Sequence, residues 1–245
     1  MKKYLMLFVL IILLVACGQS AEPAQEGLSP STASTDNVEL ESEAATAVPE
    51  PTIAGAAVEE TAVPPIQPIE VTYFTPSQQE GPYYTVEKPA DRDNDLVDFA
   101  GANGTPLGQQ LYLSGIVYNA KGLPVEGITI EIWQTDAAGA YLHPQDPATN
   151  SRDPNFQFYG ESVTGPEGIY SFRTILPGLY EPRPRHIHVK VKRDGQELLT
   201  TQFYFAGEID LQGDDAAMLI VTAPAENDAG DPILIGERDI ILSIP

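Results

Sequence analysis

Residues 186–188 read His-Ile-His and account for two of the three histidines in a chain of 245 residues. In an extended segment successive side chains leave the backbone on opposite sides. Both imidazoles would then project from one face, while Ile187, Val189 and Val191 project from the other and suit it to a core. Neutral imidazole is the commonest protein ligand for transition metals, iron among them. Taken alone the pair is a weak signal, since two histidines on a sheet face need hold nothing. The third histidine, His143, stands in Gly139-Ala140-Tyr141-Leu142-His143-Pro144, just past a strand end, where chemistry tends to be mounted. Residue types alone therefore nominate His143 with His186 and His188 as a three-histidine zinc site of the hydrolytic kind.

The elements that must position these residues read as short strands separated by glycine and proline. Strands are expected at 110–119 (QLYLSGIVYN), 127–134 (GITIEIWQ), 168–175 (GIYSFRTI), 185–192 (RHIHVKVK), 197–205 (ELLTTQFYF) and 239–244 (DIILSI). In the second, Ile128, Ile130 and Ile132 alternate with Thr129, Glu131 and Trp133. Lys121-Gly122-Leu123-Pro124 reads as a turn. No stretch carries a helical period. The expected fold is all-β, an antiparallel β-sandwich of closely spaced strands with long loops.

This folded region is expected to occupy residues 71–245. Ahead of it, residues 18–70 are rich in Ala, Glu, Pro, Ser and Thr, and up to residue 70 they hold no Lys, Arg or aromatic residue. Such a segment buries too little apolar surface to offset its ordering entropy, so it reads as a disordered, extended tether. Residues 1–17 open with Lys2 and Lys3, continue through an apolar run too short to span a bilayer, and end at Leu14-Val15-Ala16-Cys17. They are similar to a bacterial lipoprotein signal with lipidation at Cys17, the chain's one cysteine. The expected location is the outer face of a bacterial membrane. A formal net charge of −22 excludes phosphate backbones and anionic head groups as electrostatic partners, so nucleic acid is not a ligand on this reading. No protein partner is evident.

Several segments, in order, resemble the intradiol ring-cleavage dioxygenases, especially the protocatechuate type. They are Thr75-Pro76-Ser77-Gln78-Gln79-Glu80-Gly81-Pro82-Tyr83, Glu131-Ile132-Trp133-Gln134 leading to Gly139-Ala140-Tyr141, the run from Gly168 to Ile175 with Pro177-Gly178-Leu179-Tyr180, Arg183-Pro184-Arg185-His186-Ile187-His188, and Thr201-Gln202-Phe203-Tyr204-Phe205. The resemblance covers most of residues 75–207 and implies a prealbumin-like sandwich. It also implies one non-haem ferric iron per chain, held by Tyr141, Tyr180, His186 and His188, with Tyr141 rather than His143 as the matching ligand. The implied substrates are a small aromatic diol and O2, and the implied product is a cis,cis-muconate-type diacid. Tyr180 would leave the metal to take a substrate proton, Arg183 would favour charge building on the substrate, and Gln202 would line the same pocket. Gly81, Pro82 and Tyr83 would line the substrate side.

Phenolate oxygen suits ferric iron, a hard and highly charged cation. The chain departs from the family in the five-residue separation of Tyr180 from His186, which shortens one pocket wall, and in a bulky Arg185 where a small residue is usual. The competing readings are a metal-free prealbumin-like surface-binding or adhesion module, and the zinc hydrolase built on His143, His186 and His188.

Overall fold

The structure is a computed structural model that describes residues 67–245. The expected signal segment, Cys17 and the tether as far as residue 66 lie outside the described residues. Ile69 is tied to the folded region, its N–H donating to the Gly122 carbonyl at 3.0 Å. That is two residues ahead of the expected boundary at Val71. No helix of the described residues is long and apolar enough to cross a membrane.

The described residues form an all-β fold of nine strands with two short 3-10 turns. The strands are β1 (Gln110–Tyr118), β2 (Ile128–Trp133), β3 (Tyr159–Val163), β4 (Ile169–Ile175), β5 (His186–Arg193), β6 (Gln196–Phe205), β7 (Leu219–Glu226), β8 (Pro232–Glu237) and β9 (Ile240–Ile241). All six strands read from the sequence are present, the last reduced to two residues. β3, β7 and β8 are additional. Pro224 within β7 and Pro232 at the start of β8 are residues that normally argue against a strand. Pro224 is tolerated because β7 meets β6 only at Leu219 and Ile220, and beyond them it pairs on one side alone, with β8.

The strand order is β3-β2-β5-β6-β7-β8-β1-β4, with β9 on β1. The expectation of purely antiparallel pairing is corrected here: β1–β8, β1–β9 and β6–β7 are parallel. The physical reason lies in the connections. These pairs join strands linked by long excursions rather than by tight hairpins, and a long excursion can bring the chain back in either sense.

Alternation places the apolar face of both halves of this path in one core. Ile128, Ile130 and Ile132 of β2 and Ile187, Val189 and Val191 of β5 share a cluster with Leu111, Leu113 and Phe172 of β1 and β4. Each is at most 1% exposed, and full burial of such a side chain stabilises by roughly 1.5–3 kcal/mol. The opposite face of β2 and β5 is covered as well. Glu131, Trp133, His186, His188 and Lys190 are all buried there. The cover is an irregular N-terminal strap tied to the sheet by Gln78 N–H to Thr200 O, Thr201 Oγ1 to Pro76 O and Gln202 Nε2 to Gln79 O, at 2.9, 2.7 and 2.7 Å.

Candidate metal centre

β5 carries His186 and His188 on this covered face. In register, His188 lies between Trp133 of β2 and Gln202 of β6, and His186 lies opposite Tyr204. The Trp133 ring stacks on His188 at 4.7 Å with 9° between planes, which limits rotation of the imidazole. The Gly81 backbone backs the same ring: a Cβ at Gly81, where φ is +80°, would stand 3.2 Å from His188 Cε1. His186 Nδ1 donates to the Pro184 carbonyl at 2.7 Å. That bond leaves the lone pair on Nε2, the arrangement usual for a metal-binding histidine.

Tyr141 arrives from the loop after β2. Asp136 folds this loop by accepting the N–H groups of Ala138 and Ala140 on Oδ1, and Asp146 Oδ2 accepts the Tyr141 N–H at 2.6 Å. The loop after β4, which bears Tyr180, packs directly on it. Gly178 N–H donates to Asp136 O at 2.8 Å, and Thr135 Oγ1 donates to Gly178 O at 2.9 Å. Gly139, at φ +90°, passes so close to Leu179 that an added Cβ would lie 2.2 Å from the Leu179 carbonyl oxygen.

Three potential ligand atoms meet at one point. The Tyr141 hydroxyl is 3.0 Å from His186 Nε2 and 3.1 Å from His188 Nε2, and the two Nε2 atoms are 3.2 Å apart. Donors about 2.1 Å from a common metal, at roughly right angles, would lie about 3.0 Å from one another. Tyr141, His186 and His188 are 3, 5 and 4% exposed. Burial holds both histidines below their ordinary pKa, well below for His188, and the nearby Arg183 guanidinium adds to this. They are therefore neutral at pH 7, the form that binds metal. Burial raises the Tyr141 hydroxyl while Arg183 pulls it down. A cation at the cluster would favour the phenolate further.

Tyr180 stands beside this cluster rather than in it. Its ring is 5.6 Å from that of Tyr141, edge to face, and its hydroxyl is hydrogen-bonded to the Tyr83 hydroxyl at 3.2 Å. The structure thus brings three of the four expected ligands together and holds the fourth next to them. Tyr83 touches Tyr141, His143 and Tyr180, with ring centroids 5.3–5.7 Å apart. Pro82, between Gly81 and Tyr83, is exposed.

Arg183 is exposed, but its Nη2 donates to Gln202 Oε1 at 2.7 Å and lies 3.2 Å from the Tyr204 hydroxyl. Gln202 is buried and also accepts from Tyr204 at 2.9 Å. Arg185 is engaged elsewhere, with Nε on Glu208 at 3.0 and 3.2 Å and Nη1 on the Pro177 carbonyl. His143 does not join the pair. Its Nδ1 accepts the Gln145 N–H at 3.2 Å, and its ring faces Tyr83. Among the described residues no three His, Cys, Asp or Glu side chains gather at a metal site. The three-histidine cluster expected from residue types does not form: the side-chain atom beside the two imidazoles is the Tyr141 hydroxyl, not His143. Sequence reasoning gave no role to Trp133 or Tyr204. Both could have been found from register, since each sits directly across the sheet from a histidine.

A family model described as dioxygenase matches residues 79–240. The chain is 40% identical over 139 residues to the protocatechuate 3,4-dioxygenase beta chain of Burkholderia cepacia, a match spanning 53% of this chain and 59% of that one. It is 32% identical over 152 residues to catechol 1,2-dioxygenase of Acinetobacter baylyi, spanning 55% and 47%. It thus spans about half to three-fifths of these curated relatives. Among solved structures, the dioxygenase domain of a dioxygenase–carbohydrate-binding protein fusion from the cellulolytic bacterium Streptomyces sp. SirexAA-E superposes with a TM-score of 0.55 at 35% identity, covering 70% of this chain and 99% of that one. The chain belongs to the intradiol ring-cleavage dioxygenase family.

Proposed function

We propose that this protein uses ferric iron and O2 to cleave a catechol-type ring between its two hydroxyl carbons, yielding a cis,cis-muconate-type diacid. The observation that carries the reading is the buried meeting of the Tyr141 hydroxyl with His186 Nε2 and His188 Nε2 at 3.0–3.2 Å. Two neutral imidazoles and a tyrosine that a bound cation would deprotonate form a mixed nitrogen and anionic-oxygen set, which fits a hard, redox-capable metal better than a structural zinc. Tyr141, His186 and His188 would hold the iron, with Tyr180 as the fourth ligand. Bound there, the iron would draw electron density from the diol and open its ring to O2.

The side chains divide the remaining work. Tyr180 has its hydroxyl on Tyr83, outside the three-atom cluster, so of the residues that would hold the iron it is the one placed to take up a substrate proton. Tyr83 is pushed up to about 12, first by its hydrogen bond with Tyr180 and then by burial. It stays a phenol at neutral pH and can hold that hydroxyl. Arg183, positioned by Gln202 and Tyr204, supplies fixed positive charge where negative charge would build on the substrate. The burial of Trp133, His188 and Gln202 excludes water from the sheet side.

Two further parts of the reading go with it. The single core shared by both halves of the strand path supports a prealbumin-like sandwich. The lipoprotein-like segment ending at Cys17 supports anchoring at the outer face of a bacterial membrane. Anaerobic optical titration of the purified iron-loaded protein with a panel of catechols tests the central claim. The expected result is a burgundy protein whose phenolate-to-iron charge-transfer band shifts on diol binding, followed by diacid formation once O2 is admitted. A colourless zinc protein, or no ring-opened product from any catechol, would overturn it.

A further inference from the structure

Gly81 and Tyr83, which stand against His188 and Tyr180, belong to a strap, residues 79–88, with neither strand nor helix of its own. The ties from residues 80–88 to the sheet run through side chains, and those of Tyr84 and Lys88 meet on one carboxylate, with Lys88 also 3.5 Å from Glu161 of β3. Glu131 of β2 is 2% exposed. Its Oε2 accepts from the Tyr84 hydroxyl at 2.7 Å, and its Oε1 accepts from Lys88 Nζ at 2.8 Å and from Lys192 Nζ at 2.5 Å. Two of these three donors come from the strap. Two more contacts flank them: Glu80 pairs with Lys190, and Lys190 Nζ lies 4.0 Å from the Tyr84 ring centroid.

A buried carboxylate is tolerated only when hydrogen bonds and opposite charge compensate its lost hydration. Burial pushes Glu131 up, but the bonds from Lys192, Lys88 and Tyr84 more than offset this and hold it below the usual carboxylate range. It is therefore charged at neutral pH. With the strap docked it is compensated, and with the strap lifted it loses Tyr84 and Lys88 together. Docking of the strap and burial of this charge are thus each conditional on the other. The same strap sets the Gly81 backbone against His188 and the Tyr83 hydroxyl against Tyr180.

We propose that Glu131 is a positioning residue that latches residues 79–88 onto the sheet, and through Gly81 and Tyr83 shapes the diol-binding side of the metal centre. Its catalytic consequence rests on the ring-cleavage reading above, whereas the latch itself does not.

Hydrogen exchange followed by mass spectrometry on the full chain tests the latch directly, comparing wild type with Tyr84→Phe and Glu131→Gln. Hydrogen bonds to charged groups are among the stronger ones, so amides of residues 79–88 should exchange about tenfold faster in each variant. Peptides from β5 and β6 should keep wild-type protection. Bound iron should be retained, because no strap residue is a ligand, and KM for catechol should rise by a larger factor than kcat falls. Wild-type exchange of residues 79–88 in both variants would overturn the proposal. So would faster exchange of the strap with KM unchanged, since the strap would then not shape the binding side. If Glu131→Gln also loosens β2, Tyr84→Phe, which removes one hydroxyl only, decides alone. If the wild-type protein turns over no catechol, the exchange result still judges the latch, and that failure falls on the ring-cleavage reading.

Discussion

Replacing Arg183 with methionine removes a charge while leaving the local hydrogen bonding nearly intact. Arg183 is exposed, and its side chain reaches Gln202 Oε1 and the Tyr204 hydroxyl through Nη2 alone. After the change, Tyr204 still donates to Gln202 Oε1 at 2.9 Å, and Gln202 Nε2 still donates to Gln79 O at 2.7 Å. No buried polar group is left without a partner, so the stability cost should stay below about 1 kcal/mol. The charge itself is felt at the centre, where it lowers the Tyr141 hydroxyl and disfavours protonation of both histidines. Loss of a preorganised charge-stabilising donor of this kind should reduce turnover by about 10²–10³. The assay is steady-state turnover of a catechol, with iron content, the visible spectrum and the thermal midpoint measured on the same preparation. The expected Arg183→Met protein keeps its iron and colour and shifts its spectrum with catechol, yet forms product slowly. Lost iron would make Arg183 a structural support, and wild-type turnover would refute the charge argument. Replacement by Arg185 is disfavoured, because that side chain is already committed to Glu208 and the Pro177 carbonyl.

Other substitutions and conditions separate the remaining roles. His188→Ala removes a proposed ligand, so iron content should fall and the colour bleach; metal analysis showing full occupancy would remove His188 from the ligand set. His186 and His188 are held neutral by burial, whereas in the unfolded chain they titrate near about 6.5. Below that pH the unfolded state binds protons that the folded state refuses. Metal-free protein should therefore lose stability as pH falls from about 6.5 toward the depressed folded values, by up to about 1.4 kcal/mol per pH unit for each histidine. Urea midpoints measured between pH 7.5 and 5.5 check this, and His188→Leu should show a shallower slope. Cys17→Ser should release the protein from membranes with unchanged ring-cleaving activity, as judged by fractionation; a membrane-bound variant would refute lipid anchoring.

The β5 platform was open to sequence reading because period-two alternation is local. His186, Ile187 and His188 declare their faces without reference to the rest of the chain. Tyr141 was not open in the same way. Reasoning from residue types preferred His143, and only the ordered resemblance pointed to the tyrosine two residues earlier. What selects Tyr141 is the path of its loop, fixed by Asp136, Asp146 and contact with the Tyr180 loop across 45 residues from His186. β7 and β8 were hidden by Pro224 and Pro232, whose cost depends on which edge is paired. For Glu131 the alternation gives only a face, shared with Thr129 and Trp133 and opposite the isoleucines. Its burial depends on the strap crossing that face, a long-range event that no local pattern records.

Gly139 and Gly178 press the two tyrosine loops together main chain to main chain, with added Cβ atoms falling 2.2 and 2.4 Å from backbone atoms of the facing loop. The spacing of the tyrosines is thereby set like the jaws of a caliper, by peptide units rather than by side-chain packing. Peptide units do not change when residues around them do. The exposed residues beside them, Leu179 and Pro182, can therefore drift in sequence while the span between the tyrosines stays constant. Sequence change on this scaffold should concentrate in those exposed positions and leave the two glycines untouched.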